Sequence, residues 1–345
     1  TQRGGLRWNA RKAFLDPARR RPNLTVLTHA EVTGLTFDGS RVDGVTFVRR
    51  GVPHRVRAGA ETVLAAGAIG TPKLLELSGI GPEAVLGRHG IAVRHHLPGV
   101  GENLQDHLQI RTVFRISGAR TLNDLSATLA GRAGIALEYA LRRSGPMAMA
   151  PSQLGIFTRS SGRHETANIE YHVQPLSLDA FGEPLHRHPA LTVSVCNLRP
   201  TSRGACHIRS SDPADPPEIR PNYLSDPADR EVAVESIRHA RRLMAAEALR
   251  PFAPMETLPG PDLVSEAELS HAAGDISTTI FHPVSTARMG ADPMAVVNAE
   301  LAVHGVPGLS IADASVMPTI PSGNTHAPVT MIAEKAAALI LARAA

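Results

Sequence analysis

Residues 309–340 read LSIADASVMPTIPSGNTHAPVTMIAEKAAALI, a short apolar run and a long apolar segment joined by a polar turn. The run 309–312 predicts a buried strand, and Asp313 follows at its carboxyl end, where α/β sheets bind ligands. Pro328 is typical of the first turn of a helix, so we expect the helix to begin just after residues 324–326. Free N–H groups and the helix dipole favour negative charge in front of this turn. Simple N-capping by its polar side chains explains the pattern equally well.

A second strand–turn–helix pattern is present in ETVLAAGAIGTPKLLELSGIG, residues 61–81. Residues 62–65 predict a buried strand, and Thr71 and Pro72 fit the N-cap and first position of a helix that Gly79 ends. Such units build nucleotide-binding α/β layers. Residues 79–84, GIGPEA, match the dinucleotide-binding pattern in letters only, because they follow a helix instead of a strand.

Composition and charge argue against several classes of protein. The 345 residues carry 36 Lys and Arg against 32 Asp and Glu, and aromatic residues make up only 3%, so no nucleic-acid surface is expected. No apolar run is long enough to cross a membrane. The two cysteines lack metal-ligand spacing, and the histidines at 186 and 188 lie in a polar loop, so no metal site is predicted. We expect a cytoplasmic protein, with peripheral membrane association as the alternative.

Two histidines stand in notable local contexts. His282 directly precedes Pro283, which holds its backbone extended, and a histidine so restrained can act as a general base near neutral pH. For a single His-Pro pair, a hydrogen-bonded turn is the commoner explanation. Asp106 and His107 resemble a catalytic dyad, but adjacent side chains seldom point the same way, so we predict a role in loop packing.

Several motifs together resemble the glucose–methanol–choline (GMC) flavin oxidoreductases. HPVSTARMG (282–290) and the stretch from VVNAEL to NTHAP (296–328) are similar to the carboxyl-terminal region of that family, including its choline and alcohol dehydrogenases. GAIGTPKLLELSGIG (67–81) is similar to its second signature, and GVGENLQDH (99–107) and residues 202–224 also match. The resemblance covers nearly the whole chain in the family's order.

The resemblance implies FAD-dependent oxidation of a primary alcohol to an aldehyde, with hydride transfer to flavin N5. His282 matches the base that takes the hydroxyl proton, and Asn324 matches the group that orients the substrate oxygen. His326 stands where many relatives have a second Asn, and Ser285 replaces a frequent Gly. The positions that match FAD contacts are Val32, Ala66, Gly67, Asp313, Ala314, Asn324, Thr325 and His326.

The predicted fold is an α/β FAD-binding domain, residues 1–110 and 274–345, with an inserted α+β domain at 111–273. Strand-like alternation at 168–175 and 191–196 predicts that the inserted substrate-binding domain is built on an antiparallel sheet. His172 and Gln174 lie on one side of a predicted strand and either contact the substrate or belong to the sheet surface.

The substrate and the electron acceptor are less defined by sequence. One Trp and three Tyr provide little material for the aromatic cage that a quaternary ammonium such as choline prefers, so a primary alcohol is predicted. Oxygen or a quinone-like carrier would accept the electrons.

The family's amino-terminal βαβ unit, with its glycine fingerprint, has no counterpart in the sequence, which opens with Thr1. We therefore expect an incomplete FAD-binding domain, corresponding to roughly the carboxyl-terminal two-thirds of such an enzyme. The alternative is a truncated, catalytically inactive remnant, or a partner-binding subunit of a flavoenzyme.

Overall fold

The computed structural model describes residues 1–150, 152–180 and 182–344. The chain divides into two compact units, each built from three segments. Unit 1 consists of Thr1–Leu27, Leu108–Asn197 and Arg230–Thr278, and unit 2 consists of Thr28–His107, Leu198–Asp229 and Thr279–Ala345. These units are defined by packing alone. The predicted functional division, with an FAD-binding domain at 1–110 and 274–345 and a substrate-binding domain at 111–273, therefore remains a prediction.

The secondary structure is mixed. The strands are β1 (Gln2–Arg3), β2 (Leu6–Arg7), β3 (Ala30–Asp38), β4 (Arg41–Arg49), β5 (Val52–Arg57), β6 (Thr62–Leu64), β7 (Ile80–Gly81), β8 (His95–His96), β9 (Leu108–Arg115), β10 (Leu154–Thr158), β11 (Ile169–Gln174), β12 (Ala190–Asn197), β13 (Ala205–His207), β14 (Glu218–Arg220), β15 (Met255–Leu258), β16 (Ser277–Thr279) and β17 (Leu309–Ile311). The α-helices are α1 (Asp16–Ala18), α2 (Gly67–Leu77), α3 (Glu83–Arg88), α4 (Leu122–Ala127), α5 (Leu129–Arg142), α6 (Pro227–Met244), α7 (Glu266–Asp275) and α8 (His326–Ala344). Within the described ranges, no helix combines the length and the apolar character that crossing a bilayer requires.

Unit 1 contains an antiparallel sheet with the strand order β10-β11-β12-β9-β15. Alternate residues of β11 face opposite sides of the sheet. Tyr171 is fully buried on one side, where its hydroxyl donates to the Ser236 carbonyl of α6 at 3.3 Å. Glu170 and His172 therefore point to the other face.

Unit 2 contains the parallel pair β6 and β17, with Thr62 opposite Leu309 and Leu64 opposite Ile311. Helix α2 follows β6, and α8 begins at His326, which confirms the predicted strand and helix of residues 309–340. An antiparallel sheet in the order β3-β4-β5 lies in the same unit. Several of these elements contribute to an apolar core, whose members include Leu35, Leu64, Leu75, Ile80, Val297, Ile311 and Ala336.

A buried cluster of charges joins α2 to β13 in unit 2. The Glu76 carboxylate is fully buried, accepts the Ile208 N–H at 2.8 Å and lies 2.6 Å from His207 Nδ1. The other ring nitrogen, Nε2, lies 3.1 Å from Glu102 Oε1. Burial alone lowers the pKa of His207, but the hydrogen bonds to Glu102 and Glu76 outweigh it and raise the pKa to about 9. His207 is therefore an imidazolium at neutral pH and donates from both nitrogens.

We expect the free energy of unfolding to fall as the pH rises from about 6.5 to about 9. In this window the folded state holds a proton on His207 that the unfolded chain, with a pKa of about 6.5, releases. The stabilisation, on the order of 3 kcal/mol, is fully present below pH 6.5 and is lost above pH 9. Urea unfolding across this range should show the slope in the native chain and in the exposed control His29→Gln, and a flatter profile in His207→Gln. An unchanged slope in His207→Gln would show that the cluster is not its source.

Candidate active site

The main chain of His282 is held by a buried carboxylate. Asp106 Oδ1 accepts the His282 N–H at 2.8 Å, and its Oδ2 accepts the hydroxyls of Thr279 and Tyr223. Asp106 is 7% exposed, and three donors satisfy the charge that burial would otherwise leave poorly solvated. The segment that carries the imidazole is thus fixed at its start.

Two side chains contact the ring of His282. Asn324 Nδ2 lies 3.3 Å from its Nε2, and His107 Nδ1 lies 3.0 Å from its Nδ1. Burial lowers the pKa of His282 to about 4 against the opposing charge of Asp106, and a proton on His107 would lower it further. The imidazole is therefore neutral at physiological pH, and one of its nitrogens carries a lone pair that can accept a proton.

Asn324 and His282, the pair singled out in the sequence, thus lie within hydrogen-bond distance of each other. The amide of Asn324 points to the imidazole and does not cap α8. At the start of that helix the Val329 N–H donates to the Thr325 carbonyl at 3.0 Å, so Thr325 is the flanking residue. His326 is the first helical residue and is exposed.

Asp106 packs the loop at 279–282 as predicted, but the expectation that Asp106 and His107 would not meet at one target was wrong. Neighbouring side chains do reach one target here, because Asp106 bonds the main chain of His282 while His107 bonds its ring. Asn103, just before them, has a left-handed φ of 62°, which bends the chain. The sequence marked these two residues through the motif at 99–107, but a motif does not specify which groups its side chains contact.

The carboxyl ends of β6 and β17 are joined by Asp313. Its Oδ2 accepts the Gly67 N–H at 2.9 Å and the Thr71 hydroxyl at 2.6 Å, and its Oδ1 accepts the N–H and hydroxyl of Ser315 at 2.8 and 2.5 Å. The carboxylate is 4% exposed and is fully engaged by the protein. It caps α2, which begins at Gly67. The helix start predicted at Thr71 and Pro72 was therefore wrong, because the cap comes from a distant residue.

Pro72 consequently lies inside α2, where it cannot donate to the carbonyl of Ala68. The hydroxyl of Thr286 donates to that carbonyl instead, at 2.6 Å. Residues 285–289 also run beside residues 314–316, with N–H groups of Ser285 and Ala287 donating to carbonyls of that stretch. The chain just after His282 is thus anchored both to α2 and to the turn after β17.

An open groove of about 480 Å³ runs along β6 in unit 2. Val32 of β3 lines it together with Val63, Ala65 and Ala66. Gly67 has a left-handed φ of 78°, and beyond its own helix and chain neighbours no heavy atom of the described residues lies within 4 Å of the position that a Cβ would take. Small residues, an apolar lining and free space at the end of a strand fit a flat ring system with an attached phosphate chain.

His172 and Gln174 lie in unit 1, both buried on the same face of β11. His172 Nε2 is 3.3 Å from Glu170 Oε1, and burial raises the pKa of that carboxyl. Pairing with β12 sets Cys196 opposite Glu170, so that one atom each of Glu170, His172 and Cys196 lies within 4.8 Å of the others. Sequence spacing does not reveal this cluster, since strand pairing assembles it. Because His172 and Gln174 are buried, they do not lie on an exposed surface of the sheet.

Comparisons of the sequence with family models and with known proteins give consistent results. Two family models, both described as GMC oxidoreductase, match residues 1–109 and 200–333. The chain is 37% identical over 344 residues to an alcohol dehydrogenase [acceptor] of Pseudomonas putida, covering 99% of this chain and 62% of that protein. It is 39% identical over 342 residues to an oxygen-dependent choline dehydrogenase of Staphylococcus aureus, covering 98% and 60%.

Solved structures share the fold. A formate oxidase of Aspergillus oryzae RIB40 superposes with a TM-score of 0.88 at 29% identity, over 94% of this chain and 62% of that one. A pyridoxine 4-oxidase from Mesorbium loti gives 0.84 at 30% identity, over 98% and 62%. The chain spans about three-fifths of the length of the relatives it matches.

Ser285 lies in a strained position three residues after His282. Its φ of 77° is in the left-handed region, which costs a residue with a Cβ roughly 1–2 kcal/mol. The residue is fully buried, and the described part of the chain offers its hydroxyl no hydrogen-bond partner. This geometry explains why glycine suits the position.

We expect Ser285→Gly to raise the free energy of unfolding by about 1 kcal/mol, because relief of strain and of the buried hydroxyl exceeds the added flexibility of glycine. Ser285→Ala is the matched control, since it removes the hydroxyl and keeps the strained backbone. Urea unfolding should rank Ser285→Gly above Ser285→Ala. The reverse order would mean that backbone strain at this position is negligible.

Proposed function

The chain belongs to the GMC oxidoreductase family, and from this premise we propose that it carries the catalytic residues of an FAD-dependent enzyme that oxidises a primary alcohol to an aldehyde. When bound, FAD would accept the hydride of the alcohol carbon at flavin N5. The hydroxyl proton goes to His282, and the C–O bond becomes a carbonyl. The contact between Nε2 of His282 and Nδ2 of Asn324, at 3.3 Å, is the observation that carries this proposal.

The Asn324 N–H lies against the one lone pair of His282 Nε2, and a substrate oxygen would enter between the two nitrogens by displacing this contact. An oxygen about 2.8 Å from both nitrogens can accept the Asn324 N–H and donate its own hydrogen to His282 Nε2. A pKa of about 4 keeps His282 unprotonated at neutral pH and makes it a weak base. Proton transfer therefore becomes favourable only as the hydride leaves and the oxygen turns into a carbonyl. Positioning is the main contribution of the two side chains.

The proposed FAD contacts extend from the groove to α8. Val32 and Ala66 would receive the adenine end in the groove that they share. At the strand ends, Gly67, Asp313 and Ala314 would contact the ribityl–pyrophosphate part; the Asp313 carboxylate is fully engaged, so we assign its contact to the main chain. Thr325 and His326, at the positive end of the α8 dipole, would favour negative charge on the pyrimidine edge of the flavin.

We assign substrate contacts to His172 and Gln174, and their burial beside Glu170 supports a role other than sheet surface. In this division, residues 111–273 would form the substrate-binding domain, and residues 1–110 with 274–345 would belong to the FAD-binding domain. The relative named alcohol dehydrogenase [acceptor] supports an alcohol as substrate. Oxygen or a quinone-like carrier would reoxidise the flavin. The intact pairing of His282 with Asn324 favours an enzyme over an inactive remnant or a partner-binding subunit.

We expect the purified 345-residue chain to retain FAD after unbound cofactor is removed, and the flavin to bleach anaerobically with a primary alcohol. The visible absorption spectrum measures both. Ala66→Leu narrows the groove and should weaken FAD binding, whereas Ala84→Leu, on the exposed side of α3, should not. A colourless native chain would show that these residues do not hold FAD by themselves.

His282→Ala should lower the rate of flavin reduction by about 10²- to 10⁴-fold, the usual contribution of a positioned base. Stopped-flow absorbance measures this rate in protein that holds flavin. The exposed His271→Gln in α7 is the control and should keep the native rate. Reduction of His282→Ala at the native rate would remove His282 as the base.

A further inference from the structure

We propose that His107 sets the tautomer of His282, placing the ring hydrogen on Nδ1 and leaving Nε2 as a bare acceptor that faces Asn324. His107 lies behind the ring, on the side away from Asn324, and is a positioning residue. The inference rests on the proposed function only for its catalytic consequence, because the tautomer is a property of the protein itself.

The chain of hydrogen bonds begins at a main-chain carbonyl. His107 Nε2 lies 3.1 Å from the carbonyl oxygen of Leu198. A carbonyl oxygen can only accept, so the hydrogen of this bond belongs to His107 Nε2. The His107 ring is fully buried, and its neutral form, with one hydrogen on Nε2, satisfies the contacts at both of its nitrogens. A neutral ring with its hydrogen on Nε2 has a lone pair on Nδ1.

The second bond joins the two rings. The two Nδ1 atoms are 3.0 Å apart and the ring planes are nearly perpendicular, at 81°. A bond between two nitrogens needs one hydrogen, and His107 offers a lone pair at this position. The hydrogen therefore sits on Nδ1 of His282, and the neutral ring keeps its lone pair on Nε2.

The third bond ends the chain at the candidate site. The Asn324 amide nitrogen, 3.3 Å from His282 Nε2, is a donor and matches the lone pair that the first two bonds place there. Donor and acceptor thus alternate from Leu198 to Asn324 without conflict. With the Asn324 amide in this orientation, the opposite tautomer would set two N–H groups against each other, and in either orientation it would leave no lone pair for a substrate proton.

The tautomer can be read without catalysis. In the 345-residue chain labelled with ¹⁵N-histidine, long-range ¹H–¹⁵N correlation distinguishes protonated from bare ring nitrogens, and His282→Ala identifies the signal. We expect the native chain to show a protonated Nδ1 and a bare Nε2 at neutral pH. A protonated Nε2 would overturn the proposal.

Two substitutions of His107 separate its two hydrogen bonds. His107→Asn can keep an acceptor oxygen near the place of Nδ1, whereas His107→Gln can keep the donor to Leu198 and lacks that acceptor. We expect the His282 tautomer to persist in His107→Asn and to shift towards a protonated Nε2 in His107→Gln. Circular dichroism checks that both variants are folded. An unchanged tautomer in folded His107→Gln would overturn the role of His107.

The catalytic consequence is measured in protein that holds flavin. His107→Gln should lower the rate of flavin reduction by up to about 10⁴-fold, the loss that a wrong histidine tautomer causes in a catalytic triad, with little change in KM. His107→Asn should recover much of it. A native chain with the expected tautomer that does not reduce flavin would support the hydrogen-bond chain and contradict the proposed function, so the two can fail separately.

Discussion

The buried carboxylate of Asp313 is the interaction on which the arrangement of unit 2 depends. It receives four hydrogen bonds, two from the start of α2 and two from the turn that follows β17. Charge-assisted bonds of this kind are strong where water is excluded, and removing their acceptor would leave several buried donors unsatisfied. The ends of two parallel strands and the first turn of a helix are thereby held in one register, and residues 285–289 are anchored beside them.

In the candidate site, the protonation and the orientation of the His282 imidazole are set by different groups. Burial keeps His282 unprotonated, and Asp106 fixes its main chain. The direction of its lone pair is a separate requirement, which burial cannot meet because it acts equally on both ring nitrogens. A second histidine, bonded to a carbonyl that can only accept, supplies that direction in the arrangement inferred above.

Strain is concentrated close to the same residues. Phe281 and Ser285, on either side of the His-Pro pair, both have left-handed φ angles. Such conformations persist only where the surrounding structure enforces them. The hydrogen bonds of Asp106 on one side and the contacts of residues 285–289 with the turn after β17 on the other provide that enforcement. The His282 ring is thus presented from a short segment held firmly at both ends.

The sequence by itself determined the features that local patterns and family motifs express. The strand at 309–311, the start of α8 and the pairing of His282 with Asn324 follow from apolar runs, proline placement and motif letters. Tertiary structure decided what depends on partners distant in the chain. Helix α2 begins four residues before its apparent N-cap because Asp313, 246 positions away from Gly67, caps it. His107 contacts His282 across 175 positions, and strand pairing brings Cys196 beside Glu170. Hydrogen bonds of this range leave no periodic trace in a sequence, since each depends on one side chain meeting one group only after the chain has folded.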